Sequence, residues 1–334
     1  MRKSSDSNPV VGIIGGGPAG MSCALWLKQL GLSPHIIERN AALGGLLLNI
    51  NRINRWVLGL PGRTSVELAG LYGSHIREES IPVNYDTQVI TVETTGTGFL
   101  LNLQEVDRIQ TSMPVQALVI ATGVRVLGRE TFGNTPGFDS LTAAGLIGCF
   151  PTGHLDTLEN LRGKTVAVIG GGDNAHFTVK DVASVAALTY LLIRSGPNAQ
   201  DKIRKEVQDL IEQGRVVEYL ETEVDAFRQD QDGIEIAINT SGSVAAKIGV
   251  DMVFTRIGFT PNSDFLDTLA PLAHINKQAE GYICTDSWQR SSIASVYAIG
   301  DVASPELQSV VTAIADGAKA ARTIAQDLSA RDAC

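Results

Sequence analysis

Cysteine is scarce in this sequence, and the residues that occur are far apart. They are Cys23, Cys149, Cys284 and Cys334, and no two of them form a CxxC pair. A secreted disulfide framework and a structural zinc site both need several closely spaced cysteine or histidine residues. The sequence therefore predicts neither a disulfide framework nor a metal site. It predicts a protein of the reducing cytoplasm.

Basic charge and aromatic residues are also in short supply. The chain has 27 lysines and arginines against 36 aspartates and glutamates, a formal net charge of −9, and only 5% aromatic residues. Because nucleic-acid phosphates bind to basic surfaces, this balance excludes a general nucleic-acid-binding protein. An apolar fraction of 44% and a length of 334 residues instead predict a globular protein with two domains.

No uninterrupted apolar run is long enough to suggest a membrane span. The uncharged stretch 10–27 contains five glycines and Pro18, which would break a spanning helix in its middle. The stretch instead predicts a strand, a glycine turn and a helix, and we expect neither a targeting segment nor a membrane span.

The first glycine turn has the spacing of a dinucleotide-binding motif. Residues 10–14 predict a buried parallel strand that enters Gly15-x-Gly17-x-x-Gly20, and residues 21–30 predict the following helix. Gly15 would make the tight turn, and Gly17 would let the backbone approach a pyrophosphate. Gly20 would let the helix pack closely on the strand.

Glu38 completes this motif. It ends a second predicted strand, residues 35–38, and lies 18 residues after Gly20. An acid at this place accepts hydrogen bonds from ribose hydroxyls, while the helix N-terminus faces the phosphates. Strand, turn, helix, strand and acid thus follow one another in the order that predicts dinucleotide binding.

The pattern recurs 155 residues further along the chain. Residues 164–169 predict a strand that enters Gly170-x-Gly172-x-x-Ala175, and a helix and a strand over 189–193 follow. Two such motifs predict two dinucleotide-binding domains. This arrangement suits a protein that passes electrons from one nucleotide cofactor to another.

Two shorter motifs extend the pattern. A predicted strand over 114–120 ends in Ala121-Thr122-Gly123, and a later apolar strand runs into Gly300-Asp301. In this order, the four motifs resemble the pyridine-nucleotide–disulfide oxidoreductase superfamily. Within this superfamily, the length of the chain is most similar to that of the low-molecular-weight thioredoxin reductase branch.

The resemblance implies an α/β fold with two Rossmann-like three-layer dinucleotide-binding domains, the second inserted into the first. The implied FAD-binding domain comprises residues 1–124 and 256–334, and the implied NAD(P)H-type domain comprises residues 125–255. A homodimer formed through the FAD domains is a further implication.

The resemblance also assigns the FAD site residue by residue. Asp301 would hydrogen-bond the ribityl chain, with a helix-capping acid as the alternative, and the backbone near Val310 would face the flavin pyrimidine edge. Asn54 loosely matches an asparagine near the flavin ring, and a plain loop residue is its alternative. The implied FAD residues are Gly15, Gly17, Pro18, Ala19, Gly20, Glu38, Gly45, Asn54, Thr122, Gly123, Gly300, Asp301 and Val310.

The sequence departs from the family where the redox CxxC is expected. The corresponding residues are Gly153-His154-Leu155-Asp156, so thiol–disulfide chemistry is excluded at that position. Asp156 and Glu159 there match a helix capping box. The alternative is that His154 and Asp156 form a proton relay beside the flavin.

The four cysteines offer only a partial replacement. Cys23 and Cys284 are expected in the core. Cys149 and Cys334 are the candidates for a rebuilt redox pair. A related bacillithiol-type branch carries a cysteine in the first glycine turn, where this chain has Ala19.

The second nucleotide site is also altered. Arg194 stands where NADPH-dependent relatives carry a basic cluster, and Lys202, Arg204 and Lys205 would either assist it or form the solvated face of a helix over 201–213. A site without its full phosphate clamp is also compatible with a second FAD. The residues implied for this site are Gly170, Gly172, Asp173, Asn174, Ala175 and Arg194.

These observations predict an FAD oxidoreductase that passes electrons from NAD(P)H to an unidentified acceptor without a CxxC. The alternatives are a diflavin relay and a non-catalytic flavin-bound sensor. A small redox protein is a candidate partner. The catalytic residues stay unassigned, with His154, Asp156 and Cys149 as candidates.

Overall fold

The computed structural model describes residues 8–50, 52–105, 111–149, 158–230, 233–241 and 246–332. Their contacts divide the chain into two compact units. The first unit comprises the described residues of Met1–Leu48, Ile53–Arg125 and Thr260–Cys334, and the second those of Asn49–Arg52 and Val126–Phe259.

The first unit has three layers built on a parallel sheet. The sheet has the order β18-β7-β1-β2-β3, with β1 Val10–Ile14, β2 Ser33–Ile37, β3 Val83–Asn84, β7 Ala117–Ile120 and β18 Val296–Ala298. An antiparallel sheet of β4 Thr87–Thr94, β5 Phe99–Glu105 and β6 Thr111–Val115 forms a second layer. The helices are α1 Pro18–Gln29, α2 Ser65–Glu78 and α7 Val310–Asp332.

Alternation along the central strands explains the three layers. Val119 of β7 packs in the same cluster as α1 and α7, whereas Leu118 and Ile120 pack with Leu101 of β5. Successive side chains of a strand point to opposite faces, so a strand that is apolar at every position buries both faces of its sheet. This is the pattern of a parallel sheet covered on both sides.

The second unit repeats this plan. Its parallel sheet has the order β12-β11-β10-β16-β9, with β9 Ile147–Gly148, β10 Thr165–Ile169, β11 Leu188–Leu192, β12 Val216–Tyr219 and β16 Met252–Thr255. An antiparallel sheet comprises β13 Thr222–Asp230, β14 Gly233–Thr240 and β15 Ala246–Val250. The helices are α3 Arg129–Phe132, α4 Phe138–Ala143, α5 Asp173–Ala183 and α6 Asp201–Glu212.

Short elements link these layers. Strands β8 Val124–Val126 and β17 Phe259–Pro261 pair with each other where the chain passes between the units. In the described residues, 3₁₀ turns cover Gly45–Asn49, Asp264–Thr268 and Gly300–Val302. Within the part of the chain that the structure describes, no helix combines the length and apolarity needed to cross a membrane.

The predicted fold class is confirmed, but one predicted strand was wrong. Residues 114–120 form parts of two strands, β6 and β7, which belong to different sheets. The chain changes sheets at Gln116, whose N–H donates to the carbonyl of Val10 and whose side-chain oxygen accepts from the Val10 N–H at 2.6 Å. A run of apolar residues gives no local sign of this change, because both strands have a buried face.

Candidate functional site

The glycines of the first turn are held by two different constraints. Gly15 has a φ of +110°, and a methyl group there would overlap with the carbonyl of Ala121. A methyl group at Gly20 would overlap with the carbonyl of Gly15. These two glycines are therefore required by the protein's own packing.

Gly17 differs, because no heavy atom outside its immediate neighbours lies within 4 Å of the place where its Cβ would be. It precedes α1, which begins at Pro18 and lacks a side-chain cap. Gly45 lies alongside, since a Cβ added to it would be 3.4 Å from the Gly17 Cα. The start of α1 thus faces open space bordered by glycine, which is the kind of site that accepts a phosphate.

Glu38 lies directly after β2 and is 4% exposed. Its Oε2 accepts from the Gly16 N–H at 2.8 Å, and its Oε1 accepts from the backbone and side-chain N–H groups of Asn40, both at 2.8 Å. These donors hold the carboxylate beside the glycine turn. Asn40 occupies both lone pairs of Oε1, but Oε2 has a second lone pair, so Glu38 can still accept from a ribose through Oε2. The role of Asn40 was not predicted, because no motif marks that position.

Asp301 lies in the 3₁₀ turn Gly300–Val302 and makes no hydrogen bond to any described residue. Burial first, and then the negative charge of Asp316, raise the pKa of its carboxyl to about 6. Because Asp301 accepts from no described backbone N–H group, the described residues give the capping alternative no support. Its carboxylate is free to accept from a hydroxyl.

Asp316 on α7 is already committed to the protein. It accepts from the side chains of Gln289 at 2.9 Å and Ser304 at 3.1 Å, and from the Gly300 N–H at 3.3 Å. It therefore fixes the turn that carries Asp301. Asp316 was not predicted from the sequence, because its sequence pattern is the same as that of an acidic residue on the solvent-exposed face of a helix.

The N-terminus of α7 is partly open. Ser309 Oγ accepts from the Thr312 N–H at 3.2 Å. Among the described residues, no group accepts from the N–H of Val310 or Val311. Two donors at a helix N-terminus, where the helix dipole is positive, suit a group that gains negative charge.

Thr122 and Gly123 follow β7 and form hydrogen bonds with Asn262, which comes after β17. Thr122 Oγ1 donates to the Asn262 carbonyl at 2.7 Å, and Asn262 donates to the carbonyls of Thr122 and Gly123 at 2.9 Å. Asn54 is similarly occupied, since its side-chain oxygen accepts from the Trp56 N–H at 3.0 Å. The polar side chains of Thr122 and Asn54 thus both form hydrogen bonds within the first unit.

The second glycine turn resembles the first, except that the Asn198 side-chain oxygen would lie 3.4 Å from a Cβ added to Gly172. Gly170 has a φ of +142°, and a methyl group there would overlap with the Arg256 carbonyl. Gly172 precedes α5, which lacks a side-chain cap. Asp173 is held by Gln200, whose N–H and side-chain amide both donate to it at 2.7 Å. This link positions the residues that follow β11.

The remaining residues of this motif serve the helix and the strand end. Asn174 offers its carbonyl to Thr178 Oγ1 at 2.7 Å, and Ala175 is fully buried. Arg194 comes shortly after β11, is exposed, and has no ion-pair partner among the described residues. A free guanidinium at this strand end can bind a phosphate.

The basic residues of α6 form a solvated face. Lys202, Arg204 and Lys205 are exposed, while Ile203 and Val207 of the same helix are buried. This is the pattern of an amphipathic helix. The helix spans Asp201–Glu212, close to its predicted range.

The cysteine predictions have mixed outcomes. Cys23 is fully buried as expected, and burial raises its pKa. Cys284 is half-buried, so its predicted core position was wrong. Cys149 is half-buried and lies against Gly128, where a methyl group would be 2.8 Å from its Sγ. His154, Asp156 and Cys334 lie outside the described residues.

Comparison with known proteins identifies relatives over most of the chain. The profile of the family described as pyridine nucleotide-disulphide oxidoreductase matches residues 9–317. The chain is 24% identical to an alkyl hydroperoxide reductase polypeptide of Xanthomonas campestris pv. phaseoli, with 92% of this chain and 55% of that protein covered. It is 27% identical to thioredoxin reductase of Buchnera aphidicola subsp. Schizaphis graminum, with 92% and 93% covered.

The chain thus spans about half the length of the hydroperoxide reductase polypeptide and nearly all of the thioredoxin reductase. Among solved structures, thioredoxin reductase of T. acidophilum aligns with a TM-score of 0.80 at 22% identity, covering 96% of this chain and 99% of that chain. Bacillithiol disulfide reductase of Bacillus cereus aligns with a TM-score of 0.79 at 19% identity, with the same coverage. At these identities the structural similarity shows the fold.

Proposed function

Because the chain belongs to the pyridine nucleotide-disulphide oxidoreductase family, we propose that it oxidises a nicotinamide nucleotide and transfers the electrons through FAD to an acceptor. It is a flavin-dependent oxidoreductase built like a thioredoxin reductase. The donor, the acceptor and the residue assignments below belong to the proposal.

One observation carries the assignment of FAD to the first unit. Open space in front of Gly17 and a half-buried carboxylate without a hydrogen-bond partner at Asp301 occur among the described residues of the same unit. A pyrophosphate fits the first feature and a ribityl hydroxyl fits the second. Glu38 would accept from the adenosine ribose. Bound FAD would supply the redox chemistry that side chains lack.

The protein residues would bind and orient this cofactor. The glycine turn would hold the pyrophosphate through backbone N–H groups, and Asp301 would fix the ribityl chain. The open N–H groups at Val310 and Val311 would stabilise negative charge that develops on the flavin pyrimidine edge upon reduction.

We assign the nicotinamide nucleotide to the turn at Gly170 in the second unit. Its backbone has the geometry of the first turn, and Arg194 offers a guanidinium that no described acid neutralises. Arginine binds a phosphate through paired N–H groups. We therefore propose NADPH as the better donor.

The acceptor of the electrons is proposed to react at the flavin directly. None of the four cysteines forms a CxxC pair, so the chain has no dithiol in the arrangement that thioredoxin reductases use. We propose a small redox protein or a small molecule as the acceptor, and a cytoplasmic homodimer as the working form.

The experiment that tests this function is an anaerobic titration of the purified protein. We expect one FAD per chain, and bleaching of the flavin by one equivalent of NADPH. We also expect Arg194→Gln to raise the KM for NADPH by about tenfold while the KM for NADH changes little, because only NADPH carries the 2′-phosphate. Arg162→Gln is the matched control, since Arg162 is exposed and bonded to Glu159.

Two results would contradict the proposal. Absence of FAD from the folded protein would remove the flavin assignment. One FAD per chain that neither NADPH nor NADH reduces would remove the nicotinamide donor and leave the flavin assignment intact.

A further inference from the structure

Arg256 is a buried cation with an incomplete set of partners. It follows β16 and is only 6% exposed. Its Nη1 donates to the carbonyls of Gly148 at 3.0 Å and Thr255 at 2.7 Å, and its Nε donates to Thr178 Oγ1 at 3.1 Å. Its Nη2 is buried and makes no hydrogen bond within the described part of the chain.

Arg52, in the same unit, also has a buried N–H donor without a partner among the described residues. Its Nη2 pairs with Asp181 at 2.8 Å and donates to Thr178 Oγ1 at 3.3 Å. Its Nε is buried and has no partner among the described residues. The two guanidinium groups therefore meet at one hydroxyl, and each has an N–H donor left over.

The charges around these groups do not balance. Asp181 is the only acid in the described residues that pairs with either arginine. Burial first, and then the positive charge of Arg52, lower the pKa of Arg256 to about 9. The Phe254 ring, whose centroid is 5.1 Å from the Arg256 Cζ, offers only partial compensation. An unpaired buried charge is costly, and buried donors are nearly always satisfied.

We propose that Arg52 and Arg256 together bind an oxyanion, and we call them the arginine pair. Arg52 Nε and Arg256 Nη2 are the donors, and a phosphate or carboxylate group is the ligand that matches two N–H groups and one excess positive charge. The other hydrogen bonds of each guanidinium hold these donors in place. The Arg52 side chain is 22% exposed, so the arginine pair lies close to solvent although its two free donor atoms are buried.

The arginine pair contains no residue assigned to FAD or to the nicotinamide nucleotide, although the Arg256 carbonyl lies against Gly170 of the second glycine turn. Both of those sites rest on glycine turns at helix N-termini, whereas Thr178 lies within α5, more than one turn beyond Gly172. Binding of the oxyanion does not depend on flavin reduction. Its failure and the failure of the proposed function are therefore distinguishable.

The test is calorimetric titration of the FAD-loaded protein with inorganic phosphate at constant ionic strength. We expect saturable binding of one phosphate per chain, weakened about tenfold or more in Arg52→Gln and in Arg256→Gln. Arg162→Gln should bind phosphate like the wild type. Non-saturable heats, or equal affinity in all four proteins, would overturn the proposal.

Further arms identify the source of the oxyanion. If saturating NADP⁺ abolishes phosphate binding and NAD⁺ does not, the natural ligand is the nucleotide's 2′-phosphate, and the arginine pair takes the role proposed for Arg194. If neither nucleotide affects it, the ligand is a free oxyanion or the acid group of another molecule. Both results support the arginine pair.

Two controls keep the result decisive. The negative charge of a Cys149 thiolate would favour the charged form of Arg256, so it could serve as the missing counter-charge. Phosphate binding that appears only in Cys149→Ser would overturn the proposal in favour of that thiolate. Circular dichroism and flavin content show whether Arg256→Gln folds. If it does not, phosphate binding by Arg52→Gln tests the proposal, because Arg52 is partly exposed.

Discussion

Glycine has two distinct roles within a single turn of this protein. At Gly20 a side chain is excluded by the carbonyl of Gly15, whereas at Gly17 no described residue excludes one. Packing therefore does not require glycine at position 17, and the proposed pyrophosphate contact would give this glycine its role.

This difference predicts opposite behaviour for two alanine variants. Gly17→Ala should fold with nearly unchanged stability and bind FAD at least about tenfold more weakly, because the methyl group would occupy the space of the pyrophosphate. Gly20→Ala should lower the free energy of unfolding by about 2 kcal/mol or more through overpacking. Urea unfolding of the apoproteins and flavin titration measure the two quantities. Normal FAD affinity in Gly17→Ala would refute the assigned role.

Asp301 predicts a pH dependence. Its pKa in the folded protein without ligand is raised to about 6 from the ordinary 3.8, so the fold favours the neutral acid. The stability from this preference is complete below about pH 4 and is lost as the pH rises through 6. At pH 7.5 we expect the free energy of unfolding of the Asp301→Asn apoprotein to be about 2 kcal/mol higher than that of the wild-type apoprotein.

The same residue should make FAD binding stronger at higher pH. A ribityl hydroxyl that donates to the carboxylate favours its charged form, so binding lowers the pKa of Asp301. The FAD dissociation constant of the wild type should fall between pH 5 and pH 7.5. Asp301→Asn should show weaker binding with a flat profile, and a steep profile in that variant would exclude Asp301 as the titrating group.

At the scale of elements, the close packing of α1 against α7 holds the first unit together. Gly317 of α7 lies so close to α1 that a methyl group there would overlap with the Ala19 carbonyl and lie 2.7 Å from the Cys23 nitrogen. The two helices therefore approach with their backbones nearly in contact. This approach joins the chain's two ends beside the proposed FAD site.

We expect Gly317→Ala to force α1 and α7 apart and to lower the free energy of unfolding by about 2 kcal/mol or more. Gly70→Ala is the matched control, since Gly70 is an exposed residue of α2 with nothing within 4 Å of its Cβ position. That variant should gain up to about 1 kcal/mol from helix propensity. Equal changes in the free energy of unfolding of the two variants would show that helix propensity, and not the contact between α1 and α7, determines the effect.

At the scale of the whole molecule, the two units differ in how the chain builds them. The first is assembled from the described parts of three separate segments, whereas nearly all of the second comes from Val126–Phe259. A ligand bound by Gly17, Glu38 and Asp301 would therefore connect distant segments of the first unit only.

Removal of FAD should accordingly destabilise one unit. Calorimetry of the holoprotein should show two transitions, and only one of them should move to lower temperature in the apoprotein. A ligand at about 100 times its dissociation constant adds about 2.7 kcal/mol to the state that binds it. A parallel shift of both transitions would mean that the two units unfold together or that both depend on FAD.

The sequence by itself determined the parts of this protein that are local. Both glycine turns, their flanking strands and Glu38 were predicted because each turn needs residues of special conformation at fixed spacing, and each strand needs an unbroken apolar run. The family resemblance added the fold, which the structural similarity confirmed. The resemblance also assigned Asp301 to the FAD site, and that assignment stays a prediction.

Only the tertiary structure decided which distant side chains share a site. It brought Asp316 to the turn of Asp301, placed Gln116 where the chain changes sheets, and joined Arg52 to Arg256 across Thr178. None of these residues has a distinctive sequence neighbourhood. Their roles come from burial, which turns an ordinary charge or amide into a costly group that must find a partner.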